Sequence, residues 1–286
     1  MGLYIGCPVW GLKRWVGNFF PPKSKQREFL SLYSRRLNTV EGNTTFYSLP
    51  SPETIDRWVA DTPPEFKFCL KFPKTISHQL RLRNAKDETK YFVDCLTRLG
   101  DRAGPSFLQL PPTFSAPALP TLTAYLACLP HDFRYAVEVR HSGFFSEPGE
   151  AALDEILRVH NVARCVFDTR GLRRAEPTTN PATREAQARK PNAPVRFTRT
   201  ASFAFVRFVG HPQLSENADL LDEWAGHVVP WLKSGDDVFF FCHVPEDRDA
   251  PQLCRDFHAR VSEEVELPPM AEWGADVLPG EQERLF

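Results

Sequence analysis

The chain has 286 residues, of which 42% are hydrophobic, 12% aromatic and 25% charged. This ordinary globular composition excludes a wholly disordered, collagen-like or coiled-coil chain. Lys+Arg 35 against Asp+Glu 36 gives a formal net charge of -1, which argues against a globally basic nucleic-acid binder and leaves room for a local basic patch.

The cysteines are Cys7, Cys69, Cys95, Cys128, Cys165, Cys242 and Cys254. Their odd number and the lack of Cys-x-x-Cys spacing favour buried, reduced thiols in a cytoplasmic protein over a disulfide framework or zinc site. The start, Met1-Gly2-Leu3-Tyr4-Ile5-Gly6, reads as a first strand rather than a targeting peptide. No run approaches the roughly 18 apolar residues that a membrane span needs, so no membrane partner is expected.

In chain order, short apolar runs predict strands at Leu3–Cys7, Thr39–Glu41, Phe66–Lys71, Ser106–Leu110, Tyr135–Val139, Ala163–Asp168, Phe203–Phe208 and Val238–Cys242. Most are continuously apolar rather than alternating, as strands buried on both faces are. Helices are predicted between them at Ser24–Leu37, Pro52–Ala60, Lys86–Leu99, Ala118–Cys128, Gly149–Val159, Ser215–Leu232 and Ala250–Val261. Ser51 with Pro52 forms a cap and first-turn pair. Strand and helix alternating eight times predicts a single α/β domain, a (β/α)8 TIM-type barrel over residues 1–267. A doubly wound sheet is the alternative, but no Gly-x-Gly-x-x-Gly follows the first strand.

The stretch 170–200 interrupts this rhythm after the sixth strand. It holds four prolines, and its Arg170, Arg173, Arg174, Arg184, Arg189, Lys190, Arg196 and Arg199 face only Glu176 and Glu185. Either it is a solvated insertion, or it is a flap over the catalytic face that grips phosphate or nucleic acid. Residues 268–286 lose periodicity and read as a flexible C-terminal tail.

Functional side chains of a barrel gather where its strands end. Those positions hold Trp10, Glu41, Asn43, Tyr47, Lys71, Gln109, Glu138, Arg140, His141, Asp168, Arg207 and His243. Charged groups there are costly to bury unless paired, so such a rim suggests a site. Glu41, Glu138, Asp168 and His141 are the catalytic candidates. The carboxylates could do acid–base work or hold a divalent metal, the one cofactor considered. Trp10, Asn43, Tyr47, Lys71, Gln109, Arg140, Arg207 and His243 are the substrate-binding candidates, with the cations placed for phosphate oxygens. The bland alternatives are structural rim pairs, a turn-capping Asp168 and ordinary aromatic packing.

Five segments then stand out together: Ile5-Gly6-x-x-x-Trp10; Glu41-x-Asn43-x-Thr45-Phe46-Tyr47; Lys71-Phe72-Pro73 with Ile76-Ser77-His78; Phe107-Leu108-Gln109-Leu110-Pro111-Pro112; and Val137-Glu138-x-Arg140-His141. In this order they resemble the YecE-like family, domain of unknown function 72. The resemblance runs to about residue 260 and implies a TIM-type barrel, without implying a reaction. Many members carry aromatic-Asn-Asn at strand eight, where this chain has Phe241-Cys242-His243.

The end of the chain, Gln282-Glu283-Arg284-Leu285-Phe286, resembles the peptide that docks bacterial replication and repair proteins on the sliding clamp. Gln282, Leu285 and Phe286 would be the partner-binding residues. Insertion and tail together make nucleic acid the preferred substrate class. A phosphorylated metabolite, turned over by a sugar-phosphate isomerase or hydrolase, is the alternative, and a non-catalytic adaptor the third.

Overall fold

The computed structural model describes residues 2–176 and 180–274. Its strands are β1 (Leu3–Cys7), β2 (Thr39–Gly42), β3 (Lys67–Leu70), β4 (Ser106–Gln109), β5 (Tyr135–Glu138), β6 (Ala163–Asp168), β7 (Phe203–Val209) and β8 (Asp237–His243). All their pairings are parallel, in the order β3-β2-β1-β8-β7-β6-β5-β4. The ring closes between β3 and β4 through isolated bridges, Phe68 with Ala103 and Lys71 with Phe107. Two backbone bonds span that seam, Gly104 N to Phe68 O and Phe72 N to Phe107 O, both 3.0 Å. This is the expected (β/α)8 barrel, and each strand falls within about a residue of its sequence-based position.

Helices α1 (Phe29–Ser34), α2 (Pro52–Ala60), α3 (Lys86–Leu99), α4 (Leu119–Leu126), α5 (Gly149–Val159), α6 (Arg170–Arg174), α7 (Pro181–Arg189), α8 (Ala218–Lys233) and α9 (Ala250–Ser262) connect the strands. Ser51 caps α2 by accepting from Thr54 N, with Pro52 in the first turn. The first helix is shorter than its periodicity suggests, because residues 26–28 form a tighter 3-10 turn before it. Among the described residues no helix is long and apolar enough to cross a membrane.

Two apolar layers result from the strands' two-residue period. The outer layer joins strands to helices and includes Ile5, Val40, Phe68, Leu108, Val137, Val206 and Phe240. The inner one fills the barrel with Cys69, Phe107, Ala136, Ala163, Cys165, Phe203, Phe205, Phe239 and Phe241. Burial on both faces explains why the strand sequences hardly alternate. At Gly6 a Cβ would lie 2.0 Å from the Thr39 carbonyl oxygen, so β1 and β2 approach at a distance only glycine permits.

The described part of the insertion is folded rather than a solvated loop. Asn180 caps α7 through Ala182 N, with Pro181 in the first turn. Most of its positive charges are paired. Arg170 pairs with Asp168 and Glu223, Arg174 with Asp219, Arg189 with Glu185, Arg196 with Glu150 and Arg199 with Asp236. Arg173 donates to the Lys190 carbonyl. Its described residues therefore pack against the barrel with most of their charge paired to α5, α8, the end of β6, the loop before β8 or α7 itself.

The end of the barrel also extends past the predicted boundary at 267. His258 Nε2 lies 3.1 Å from the Pro268 carbonyl oxygen. Trp273 is buried, edge-on to Phe19 and 3.7 Å beneath the Arg255 guanidinium. Residues to 274 are thus part of the packed structure.

Candidate active site at the barrel mouth

One step of two residues beyond the inner apolar layer, the same faces turn polar. Cys69 gives way to Lys71, Phe107 to Gln109, Ala136 to Glu138, Phe205 to Arg207 and Phe241 to His243. Thr39 likewise precedes Glu41, and Cys165 precedes Phe167. The C-terminal strand ends therefore aim these side chains at one centre.

Arg207 is its hub. Its Nε and Nη2 donate to Glu41 Oε2 and Oε1 at 2.7 and 2.6 Å, and Nη1 donates to Glu138 Oε2. Arg140 Nε donates to the other Glu138 oxygen, and its Nη2 to Gln109 Oε1 at 3.1 Å. Asn43 Nδ2 donates to Glu41 Oε1 at 2.6 Å, and His243 Nε2 lies 3.1 Å from Glu41 Oε2. Glu41 and Glu138 are fully buried, and Arg207 and His243 nearly so. Two carboxylates and two guanidiniums thus form a buried network in which each charge is balanced.

Burial alone would raise the Glu41 pKa, but Arg207 and then His243 outweigh it and hold the carboxyl well below the usual range. At Glu138 burial is likewise overcome, by Arg140, Arg207 and Lys71, which bring it down to about 2. Both carboxylates stay ionised at neutral pH, with their oxygens held on the guanidiniums.

Lys71 differs. Its ammonium donates to the neutral Gln109 Oε1 at 2.8 Å and sits 4.1 Å from the Phe46 ring centroid. Burial, reinforced by Arg207, lowers its pKa to about 8. Lys190, delivered by the insertion, reaches the same network through Phe167. Phe167 is ringed by Lys190 Nζ at 5.5 Å, Arg140 Cζ at 4.5 Å and Arg207 Cζ at 4.8 Å. Burial and then Arg207 lower Lys190 to about 8 as well. Asp247 also contributes to this electrostatic environment, and burial raises its own pKa. Among the described residues neither lysine forms an ion pair.

The structure brings together Glu41, Asn43, Lys71, Gln109, Glu138, Arg140, Arg207 and His243 from the sequence-based set. It does not bring in Asp168. That residue has the opposite parity to Cys165 and Phe167, faces α8, and accepts from the Trp224 indole at 2.8 Å and from Arg170. His141, one residue past Arg140, also turns away and accepts from Gly143 N at 3.1 Å. Trp10 packs edge-on against Trp58 and the outward-facing Phe68. Tyr47 is 82% exposed, and its neighbour Phe46 contacts Lys71 instead. Gln282, Leu285 and Phe286 lie outside the described residues.

The three acidic candidates for a divalent metal therefore do not converge. The Glu41 and Glu138 oxygens are taken by Arg207, Arg140, Asn43 and His243. Among the described residues no three His, Cys, Asp or Glu side chains gather in a metal-holding group. A large apolar cavity of about 1010 Å³ lies elsewhere, between α3 and α4, but no carboxylate or imidazole lines it.

Residues 4–275 match the family model of DUF72, described as a protein of unknown function. The chain belongs to this family. Among its relatives, UPF0759 protein YecE of Escherichia coli K12 is 38% identical over 252 residues, covering 88% of this chain and 89% of that protein. UPF0759 protein YunF of Bacillus subtilis 168 is 27% identical over 155 residues, 51% of this chain and 53% of its own. A DUF72 crystal structure from Thermotoga maritima MSB8 superposes with a TM-score of 0.69 at 22% identity, covering 92% of this chain and 100% of that one. One from Enterococcus faecalis V583 does so with 0.69 at 16%, covering 94% and 99%. At these identities the two structures support the barrel fold alone.

Proposed function

We propose that the barrel mouth binds a small phosphate-bearing molecule and carries out proton-transfer chemistry on it, as a sugar-phosphate isomerase or hydrolase does. The observation that carries this reading is that Lys71 and Lys190 are both added to an otherwise balanced network without forming an ion pair among the described residues, Asp247 being the one further carboxylate near Lys190. The resulting excess of positive charge in a partly dehydrated mouth complements a phosphate monoester. His243, with Nε2 3.1 Å from a Glu41 oxygen, is the mouth imidazole placed for proton transfer. Neutralisation of the insertion's arginines favours a small phosphorylated substrate over nucleic acid, because little free positive charge is left to track a backbone.

The test is a calorimetric titration of the full chain with orthophosphate and with glucose 6-phosphate, against a DNA oligonucleotide at the same salt. Lys190→Met is expected to weaken phosphate binding tenfold or more, and Arg184→Ala, on the exposed side of α7, to leave it unchanged. Equal affinity of wild type and Lys190→Met would refute the assignment. Tighter binding of DNA than of either small anion would return nucleic acid to first place.

A further inference from the structure

Lys71 and Lys190 are both cationic, but their surroundings are not equivalent. Lys190 lies at the rim, half-buried, on the segment following α7. Lys71 sits at the end of β3 and is only 8% exposed. Its side chain is braced between the Phe46 and Phe107 rings, with Nζ 4.1 and 5.7 Å from their centroids. Among the described residues its Nζ hydrogen-bonds to Gln109 Oε1, which is uncharged and is shared with Arg140. An amine in this setting is fixed in place, dehydrated and close to the Arg207 cation, the conditions that make a lysine nucleophilic near neutral pH.

We infer that Lys71 is a carbonyl-binding catalytic residue, whose Nζ condenses with an aldehyde or ketone group of the substrate to form a protonated imine. This deepens the phosphate reading and rests on it for the substrate class, a phosphorylated carbonyl compound. Lys190 and Arg140 then hold the phosphate, and the positive charge of Lys71, kept in the iminium, adds to its attraction.

The step balances without a further reactant. The ammonium gives up a proton and the free amine adds to the carbonyl carbon, forming a new C–N bond. The carbonyl oxygen takes up that proton and the amine's second one, the C–O bond breaks, and water leaves. The product iminium keeps one proton on nitrogen and one positive charge, so the electrostatic balance with Glu41 and Glu138 is the same before and after. With its pKa near 8, roughly a tenth of Lys71 is free amine at pH 7, against well under roughly a thousandth for an exposed lysine. An iminium withdraws electrons from the adjacent carbon and acidifies its C–H bond, which is the activation an isomerase or a carbon–carbon lyase needs.

The imine is tested by reductive trapping on the full chain. With limiting formaldehyde and cyanoborohydride at pH 7, Lys71 is expected to be methylated at least tenfold faster than the exposed Lys13, Lys23 and Lys86, as read by peptide mass spectrometry. Preferential labelling of those exposed lysines, with Lys71 untouched, overturns the inference. Dihydroxyacetone phosphate with borohydride is the second probe, with unphosphorylated dihydroxyacetone beside it. Label confined to Lys71, suppressed by excess orthophosphate and absent from Lys71→Met and Lys71→Arg variants that melt cooperatively, supports both readings. Equal labelling of Lys71 by both ketones, insensitive to orthophosphate, keeps the imine and overturns the phosphate assignment. Phosphate binding with no Lys71 label from any of the three carbonyl probes overturns the imine alone.

Discussion

Replacing Arg207 by methionine removes the centre of the mouth while filling most of its volume. The substitution deletes two bonds to Glu41 and one to Glu138. Glu138 keeps Arg140, but Glu41 is left fully buried with only Asn43 and His243. Breaking a buried pair by removing one partner costs about 3–5 kcal/mol, most of it the penalty on the stranded charge. For a chain of this size that is a fall in melting temperature of roughly 5–8 °C.

The pH dependence identifies the cause. In the parent, Glu41 and Glu138 have depressed folded pKa values, so their stabilisation is full above the unfolded pKa of about 4.3 and fades only as pH falls through the folded values. In Arg207→Met the folded pKa of Glu41 rises above its unfolded value. The penalty is then full above that raised pKa and shrinks as acid neutralises the carboxyl. The stability gap between parent and variant, from urea melts at pH 8, 7, 6 and 5, should narrow steadily towards pH 5. Adding Glu41→Gln to Arg207→Met should recover part of the loss at pH 8. A gap below about 0.5 kcal/mol, within the range of neutral surface substitutions, or a gap independent of pH, would refute the account of Arg207 as the charge that permits two buried carboxylates.

Lys71 gives the opposite sign. Its folded pKa of about 8 lies below the roughly 10.4 of an unfolded lysine, so the ligand-free protein gains stability as pH rises from about 8 to 10.5. Lys71→Met should raise stability at pH 7 by about 2–3 kcal/mol, flatten that alkaline rise, and weaken phosphate binding. A destabilised Lys71→Met with unchanged affinity would contradict this. Asp168→Asn tests the negative assignment: it should cost about 1–3 kcal/mol through the weakened bonds to Arg170 and Trp224, while phosphate affinity stays within about twofold of the parent. A tenfold loss of affinity would return Asp168 to the site.

The strands were legible because they are apolar on both faces, but that same property concealed their parity. Nothing in Ala163–Asp168 says which alternate set points inward; that follows from the register of β6 on β7, which pairs Phe167 with Arg207. Asp168 and His141 therefore read as rim residues until the pleat is known. Lys190 was visible only as one of eight charges in a proline-rich stretch. Asn180-Pro181 followed by Ala182-Thr183-Arg184-Glu185-Ala186 is a helix start by cap and composition, and it was the available signal that the stretch is ordered and could carry a lysine to the mouth. The pairing of Arg170, Arg174, Arg196 and Arg199 with distant carboxylates was not legible, because those contacts cross from the insertion to other elements.

The join between β3 and β4 places the mouth at the barrel's weakest lateral contact. Elsewhere the strands are laced by continuous ladders, whereas this edge is held by isolated bridges. Lys71 stands on one side of it and Gln109 on the other, and their hydrogen bond crosses the gap. Regions with few backbone bonds open at lower free-energy cost than the rest of a fold. A molecule that engages Lys71 and also Arg140, on the far side of β4, would act as a rivet through this edge, so that capture at the mouth and cohesion of the whole wall become one equilibrium.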